Sequence, residues 1–469
     1  MSLLLALAAC TQPNATPAPL TLPDLDGDCV SDPELFADVT AEVTAVPTVL
    51  RVRWAASEPV AARVIYAEDD AAAVLSTPDG ATSAEAETLL LGLHPDRPVT
   101  LRVAAEIDGV QRCSDALQVR TGALPSDLPA TNVVVDDTER EVRGWHAVAV
   151  IKEQARYATI LDADGQFVWA YPVRDLFRAT LSLDGTAMLA NGPAQSWDTS
   201  GDIYRIPLDG GEPTLLSATG IHTDFVELPD GTIASLGWSV REFADGTRRL
   251  LGDTIVELRP DGTSSTVFDL FDHVTPDLST VYDPVSVAGE PTDVEDWSHV
   301  NSIAYDEASD AYFVTGTYNH SVLRVDRATG NLSWTLTDDP LTSDWEMRSS
   351  ERELQMPHSV QLVDDDTLLV FNRGEFGDGA SPTPCAFVSE LDLDATAGAA
   401  TPRGHYSSDA CVTVPFLGQA RRIDRHNTVV NWTSAGRITQ VDRWEDTVLQ
   451  IDLGLGTAFG SGEWVESLY

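Results

Sequence analysis

The sequence is poor in positive charge. Of its 469 residues 29 are Lys or Arg, against 74 Asp or Glu, which gives a formal net charge of −45; Lys152 is the single lysine. A phosphate backbone needs basic contacts that release its counterions, so this deficit argues against nucleic acid as a partner. It equally disfavours adhesion to anionic lipid headgroups. Long apolar runs are missing too, since none approaches the roughly 18 residues that cross a bilayer as a helix. Cysteine is scarce, with five in the chain. What is present is ordinary for a globular protein: 43% hydrophobic residues, 11 Trp, 32 Gly and 27 Pro, a composition that argues against wholesale disorder. The length exceeds one ordinary domain and predicts two, or a domain of repeats.

The first ten residues read Met1-Ser2-Leu3-Leu4-Leu5-Ala6-Leu7-Ala8-Ala9-Cys10. The apolar run ending in Leu7-Ala8-Ala9-Cys10 resembles the lipobox of bacterial lipoproteins, which implies that Cys10 is lipidated and becomes the mature N-terminus. Residues 11–27 contain Pro13, Pro17, Pro19 and Pro23 and read as an extended tether. Residues 1–28 are therefore expected to be a lipoprotein-type signal and tether. Four cysteines remain, and three pairings are open to them. The pairing that keeps both bridges local joins Cys29 to Cys113 and Cys385 to Cys411; four separate buried thiols are the alternative. Disulfides form in oxidising compartments. The expectation is an exported protein facing the periplasm or cell exterior, touching the membrane only through a lipid anchor.

Residues 29–123 alternate with period two. Leu50–Trp54, Ala62–Tyr66, Thr88–Leu91, Thr100–Val103 and Leu117–Arg120 read as short strands, with a further one at Val43–Val46. Several strands at this spacing predict a β-sandwich. With Trp54 as an early core tryptophan, Tyr66 on a strand and Leu91-Gly92-Leu93-His94-Pro95 as a turn before a late strand, the segment resembles a fibronectin type III or related immunoglobulin-like module. It holds no catalytic constellation.

After the linker around Leu124–Pro129 a polar turn entering a strand recurs. It appears at Leu183–Leu189, Leu228–Ala234, Ser309–Val314, Asp364–Val370 and Arg425–Val430. A second recurring piece closes the unit, as in Asp164–Trp169 and Thr329–Trp334. Units of about 40–50 residues with four strands are propeller blades. Residues 130–469 suit six of them, so the expected fold is all-β: a six-bladed β-propeller with an N-terminal β-sandwich domain.

Aligning these units on the turn places His222, His299 and His358 about ten residues upstream, at the start of the strand leading into it, with Phe177 and Gln419 at the matching places of other units. The innermost strands of a propeller converge on its axis, so residues at one register share a central space. Three imidazoles there could hold a metal, as in three-histidine zinc sites, or could act on an anion by attack and proton transfer. Backbone capping is the structural alternative. Asp224, beside His222, could orient an imidazole.

The frame Asp296-Trp297-Ser298-His299-Val300-Asn301, the closing Val325–Trp334, and Pro357-His358-Ser359-Val360 followed by Leu368–Asn372 resemble bacterial arylsulfate sulfotransferases over roughly residues 130–460. That resemblance implies transfer of a sulfuryl group from an aryl sulfate to a phenol, with no cofactor. It implies transient sulfation of His358, with His222, His299 and Asn301 serving the sulfuryl oxygens and proton transfer. Its partners are small aromatic sulfates and phenols. The family's usual sulfuryl-binding arginine falls on Thr317 here, and Arg373 is the substitute within reach of the His358 unit. Two other readings stay open: a ligand-binding propeller without turnover, and a metal-dependent hydrolase or lyase on the three histidines.

Overall fold

The computed structural model describes residues 29–469 apart from 70–73, 154, 244–245, 280–282, 288–289, 340–341, 375–384, 409–410 and 455. Cys10 and the tether lie outside the described residues. All longer elements are β-strands; among the described residues the helices are two single 3₁₀ turns, Leu270–Asp272 and Thr433–Ala435, and none is long and apolar enough to cross a membrane. The chain forms two compact units, one reaching Thr121 and the other dominated by Gly122–Tyr469, which also takes in Val43–Leu50 and Leu91–Pro95.

In the N-terminal unit one sheet orders the strands Val30–Ser31, Val110–Cys113, Pro98–Ile107, Ala62–Glu68 and Leu75–Ser76, with Leu117–Arg120 also on Pro98–Ile107. A second sheet joins Phe36–Val43, Leu50–Val60 and Ser83–Leu90. Alternate residues are buried (Leu50, Val52 and Trp54; Val64 and Tyr66; Leu101 and Val103), the period-two pattern of strands with one covered face. The predicted strand at Val43–Val46 is a turn after Val43, because Thr44 N–H donates to Val49 O and closes the chain back on itself. Cys29 and Cys113 form a disulfide with Cα atoms 5.9 Å apart.

Among the described residues the larger unit contains six sheets. In chain order their leading strands are Trp145–Lys152, Ala179–Leu181, Ile221–Glu227, Val300–Asp306, Pro357–Asp364 and Gln419–Arg422. Each leads an antiparallel run of strands, and the recurrent turns of the sequence sit between the first strand and the second. The ends of the unit interlock. Thr131–Asp136 pairs with Thr447–Leu453 on the sixth sheet, and Thr457–Phe459 and Glu463–Val465 pair with Trp145–Lys152 on the first.

Buried polar side chains at the leading strands tie the second sheet to the third and so on round to the sixth and the first. Asp224 receives the Arg178 guanidinium from the second sheet at 3.0 Å and the Ile303 N–H of the fourth at 3.0 Å. The Asn301 amide donates to Pro357 O of the fifth at 3.3 Å. Ser359 Oγ accepts from Ala420 N of the sixth, and Gln419 Oε1 accepts from Gly462 N beside the first. Each bond satisfies a polar group that would otherwise cost free energy in a dry interior. The second disulfide, Cys385–Cys411, spans Cα atoms 4.9 Å apart. Two disulfides fit an exported protein.

Candidate functional site

The histidines lie at the entry of leading strands, where the pairing is irregular. On the fifth sheet Pro357 pairs with Asn372 and Ser359 with Phe371, so His358 is the unpaired residue of a bulge. On the fourth, Val300 pairs with Gly316 and Ser302 with Thr315, so the bulged residue is Asn301. His222 falls in the shift between Ile221 and Phe225 on the third. Bulges re-aim side chains near functional sites. The register expected from the sequence is thus corrected in one respect: His222, Asn301 and His358 are equivalent, and His299 stands two residues earlier. Its backbone is left-handed, φ 48°, a conformation uncommon for a non-glycine residue.

The three imidazoles have different surroundings. His358 is buried, and its Nδ1 lies 3.2 Å from Gly418 O. A carbonyl can only accept, so Nδ1 carries the proton and the lone pair is on Nε2. Burial first, then the charges of Arg373 and His299, holds its pKa well below the usual imidazole range. His299 is the opposite case. Its Nδ1 donates to Asp296 Oδ2 at 2.6 Å, its ring stacks on Tyr318 at 4.9 Å, and its side chain is 42% exposed. Burial disfavours its charged form, but the Asp296 hydrogen bond and the charges of Asp296 and Asp253 outweigh that, and its pKa is raised. His222 stacks on Trp238 at 4.5 Å; its Nδ1 meets Thr223 Oγ1 at 3.0 Å and its Nε2 lies 3.2 Å from Asp253 Oδ1. Both its nitrogens face protein groups. Asp224 does not orient it, because that carboxylate is committed to Arg178.

Asn301 and Thr317 are buried and bonded to each other, and both reach Pro357 O. Asn301 Oδ1 also accepts from Thr315 Oγ1 at 2.8 Å. Thr317 is therefore packed into the wall that holds the fourth sheet against the fifth. Arg373 is buried rather than solvated, 6% exposed. Its Nη1 donates to Pro415 O at 2.9 Å, and its Nε has no hydrogen-bond partner among the described residues. Burial lowers its pKa to about 10, still high enough to leave it charged at neutral pH.

A cleft of about 620 Å³ opens beside these groups. His222, His299, Asp253 and Asp296 line it together with the rings of Phe177, Trp238 and Phe416. His358 and Arg373 are not on its wall, yet the charges of both His299 and Arg373 act on His358. Aromatic and aliphatic walls with a few convergent polar groups are the usual make-up of a small-molecule site. Among the described residues no three His, Cys, Asp or Glu side chains are arranged to hold a metal ion.

A family model described as Arylsulfotransferase (ASST) matches residues 131–381, more than half of the chain. The chain belongs to the arylsulfotransferase family. No curated protein matches. Solved structures with partial likeness include a nidogen/laminin complex, at 12% identity and TM-score 0.39 over 68% of this chain and 97% of that one. Another is a protein of Bacteroides uniformis proposed to be a 6-phosphogluconolactonase, at 12% identity and TM-score 0.39 over 69% and 100%. A third is Hsv2 of Kluyvelomyces marxianus, at 8% identity and TM-score 0.32 over 76% and 93%. None of these likenesses carries an argument below.

Two site residues of this arylsulfotransferase-family chain escape a reading of sequence alone. Asp253 accepts Ser298 Oγ at 2.5 Å and Val300 N at 2.8 Å through Oδ2, while Oδ1 faces His222. One carboxylate thus fixes the turn carrying His299 and sits against His222. Asp296 binds His299 at both Nδ1 and the backbone N–H. The Asp296-x-x-His299 spacing is visible in the sequence; nothing local marks Asp253, one acid among 74 acidic residues.

Proposed function

We propose that the larger unit is a six-bladed β-propeller, preceded by a fibronectin-like sandwich and carried on a lipidated Cys10, and that it transfers a sulfuryl group from an aryl sulfate to a phenol through His358. The succession of sheet-to-sheet bonds from Arg178–Asp224 round to Gln419–Gly462, completed by Thr180 Oγ1 donating to the Glu463 carboxylate between the second sheet and the first, supports the ring. Family membership supports the reaction class. The observation that carries the site is the buried, charged Arg373, whose Nε has no partner among the described residues, acting on the neutral His358.

The chemistry follows from the protonation states. His358 is neutral, with Nδ1–H held by Gly418 O, so the Nε2 lone pair attacks sulfur. The bond from sulfur to the aryl oxygen breaks. The departing phenolate takes a proton from His299, whose raised pKa keeps imidazolium available beside Asp296. Arg373 meets the sulfuryl oxygens in place of the arginine that Thr317 replaces. The acceptor phenol then gives its proton back to His299 as its oxygen attacks sulfur, and the N–S bond breaks. Phe177, Trp238 and Phe416 hold the aryl rings, with His222 completing that wall. Incubation with 4-nitrophenyl sulfate and phenol should yield nitrophenolate and phenyl sulfate in equal amounts. Release of inorganic sulfate instead, or no nitrophenolate at all, counts against the proposal.

A further inference from the structure

The fifth and sixth sheets carry a second cleft of opposite chemistry. It encloses about 400 Å³ and is lined by Arg403, Arg422, Arg425 and Arg443, with His405 and His426. In a chain with 29 basic and 74 acidic residues, four arginines around one cleft reverse the local sign. The acids on the same wall are Glu390, Asp442 and Glu445. Glu390 is taken by Arg422, with Arg403 at 3.6 Å. Asp442 is committed to Arg140 at 2.9 Å and to the amides of Trp444 and Asp446. Asp424, next to Arg425, accepts the His426 and Asn427 N–H groups of its own turn.

Arg425 and Arg443 are left without an acidic partner among the described residues. Arg443 lies over the Trp444 ring at 4.0 Å, and that ring is 62% exposed. Stacking of this kind fixes the guanidinium plane while leaving its N–H edge free to bond. A guanidinium fork matches the oxygens of sulfate and phosphate groups in pairs.

We infer that this cleft is a second binding site, separate from the His358 site, for a tetrahedral oxyanion group borne by a sulfate or phosphate ester. The inference does not depend on the sulfotransferase reading. Calorimetric titration of the full chain with sodium sulfate and with sodium phosphate, against sodium chloride at equal ionic strength, tests it. Saturable binding of either oxyanion is expected, and the stronger one names the ester. Arg425→Gln with Arg443→Gln should weaken it by about tenfold for each arginine removed. The remote Arg174→Gln should not. The inference is overturned if neither oxyanion saturates, if the double variant binds like the parent, or if Arg373→Met alone abolishes binding. Circular dichroism of the double variant, whose changed side chains are exposed, confirms that it is folded.

Discussion

Replacing Asp296 with asparagine removes the charge that favours the protonated form of His299. The two groups meet at 2.6 Å. Unit charges about 4 Å apart are worth about 4 kcal/mol at an effective dielectric of about 20. The His299 side chain is 42% exposed, so solvent screening reduces this to on the order of 1–2 kcal/mol, or about tenfold in the protonated fraction. The consequence depends on the leaving group. A tyrosine-like phenol, of pKa about 10, needs a proton as it departs; a nitro-activated phenolate does not. With Asp296→Asn, transfer from 4-methylphenyl sulfate should fall by up to about tenfold, in step with the loss of the protonated form. Transfer from 4-nitrophenyl sulfate should fall much less. Because Asp296 raises the pKa of His299, the loss of activity with rising pH should begin at lower pH in the variant. Steady-state rates for the two donors across the pH range are the assay. Equal losses for both donors, or an unmoved basic limb, would refute the proton-donor role.

Three further outcomes follow from other parts of the site. Arg373→Met should lower kcat by about 10²–10³, the usual cost of one oxyanion donor, with thermal unfolding showing that the fold persists. Gly418→Ala should cost about 2–4 kcal/mol in denaturant unfolding, because a Cβ at φ 112° would overlap the Phe371 ring and both overpacking and backbone strain oppose it. Acidification should destabilise the fold. His146 is buried and its pKa is lowered to about 4 by burial, and that of His358 is lowered too. An unfolded chain takes up these protons near pH 6.5, so the stability they contribute is complete above that pH and is lost as pH falls toward 4. Urea midpoints at pH 7 and pH 4.5 measure this, and His146→Gln should flatten the difference.

Much of the architecture is legible in the sequence because period-two burial and polar turns are local signals. The five recurrent turns all sit where the expected strands begin, and both cysteine pairs close as the local pairing suggests. The bulges were not legible. Both the fourth and fifth sheets carry the same one-residue bulge, at Asn301 and at His358, and His299 stands two residues before it, so Asn301, not His299, shares the register of His358. The burial of Arg373 leaves no local mark, because the carbonyl its guanidinium meets, Pro415 O, lies 42 residues away. Asp253 acts on a turn 45 residues away, a distance at which no spacing rule applies.

The measurement that tests the central claim most directly is the mass of the His358 peptide after brief exposure to an aryl sulfate without acceptor. A sulfuryl adduct on His358 that disappears on adding phenol, together with loss of transfer in His358→Ala, is the expected result. An unmodified His358 in a chain that still transfers, or full activity in His358→Ala, would contradict the account.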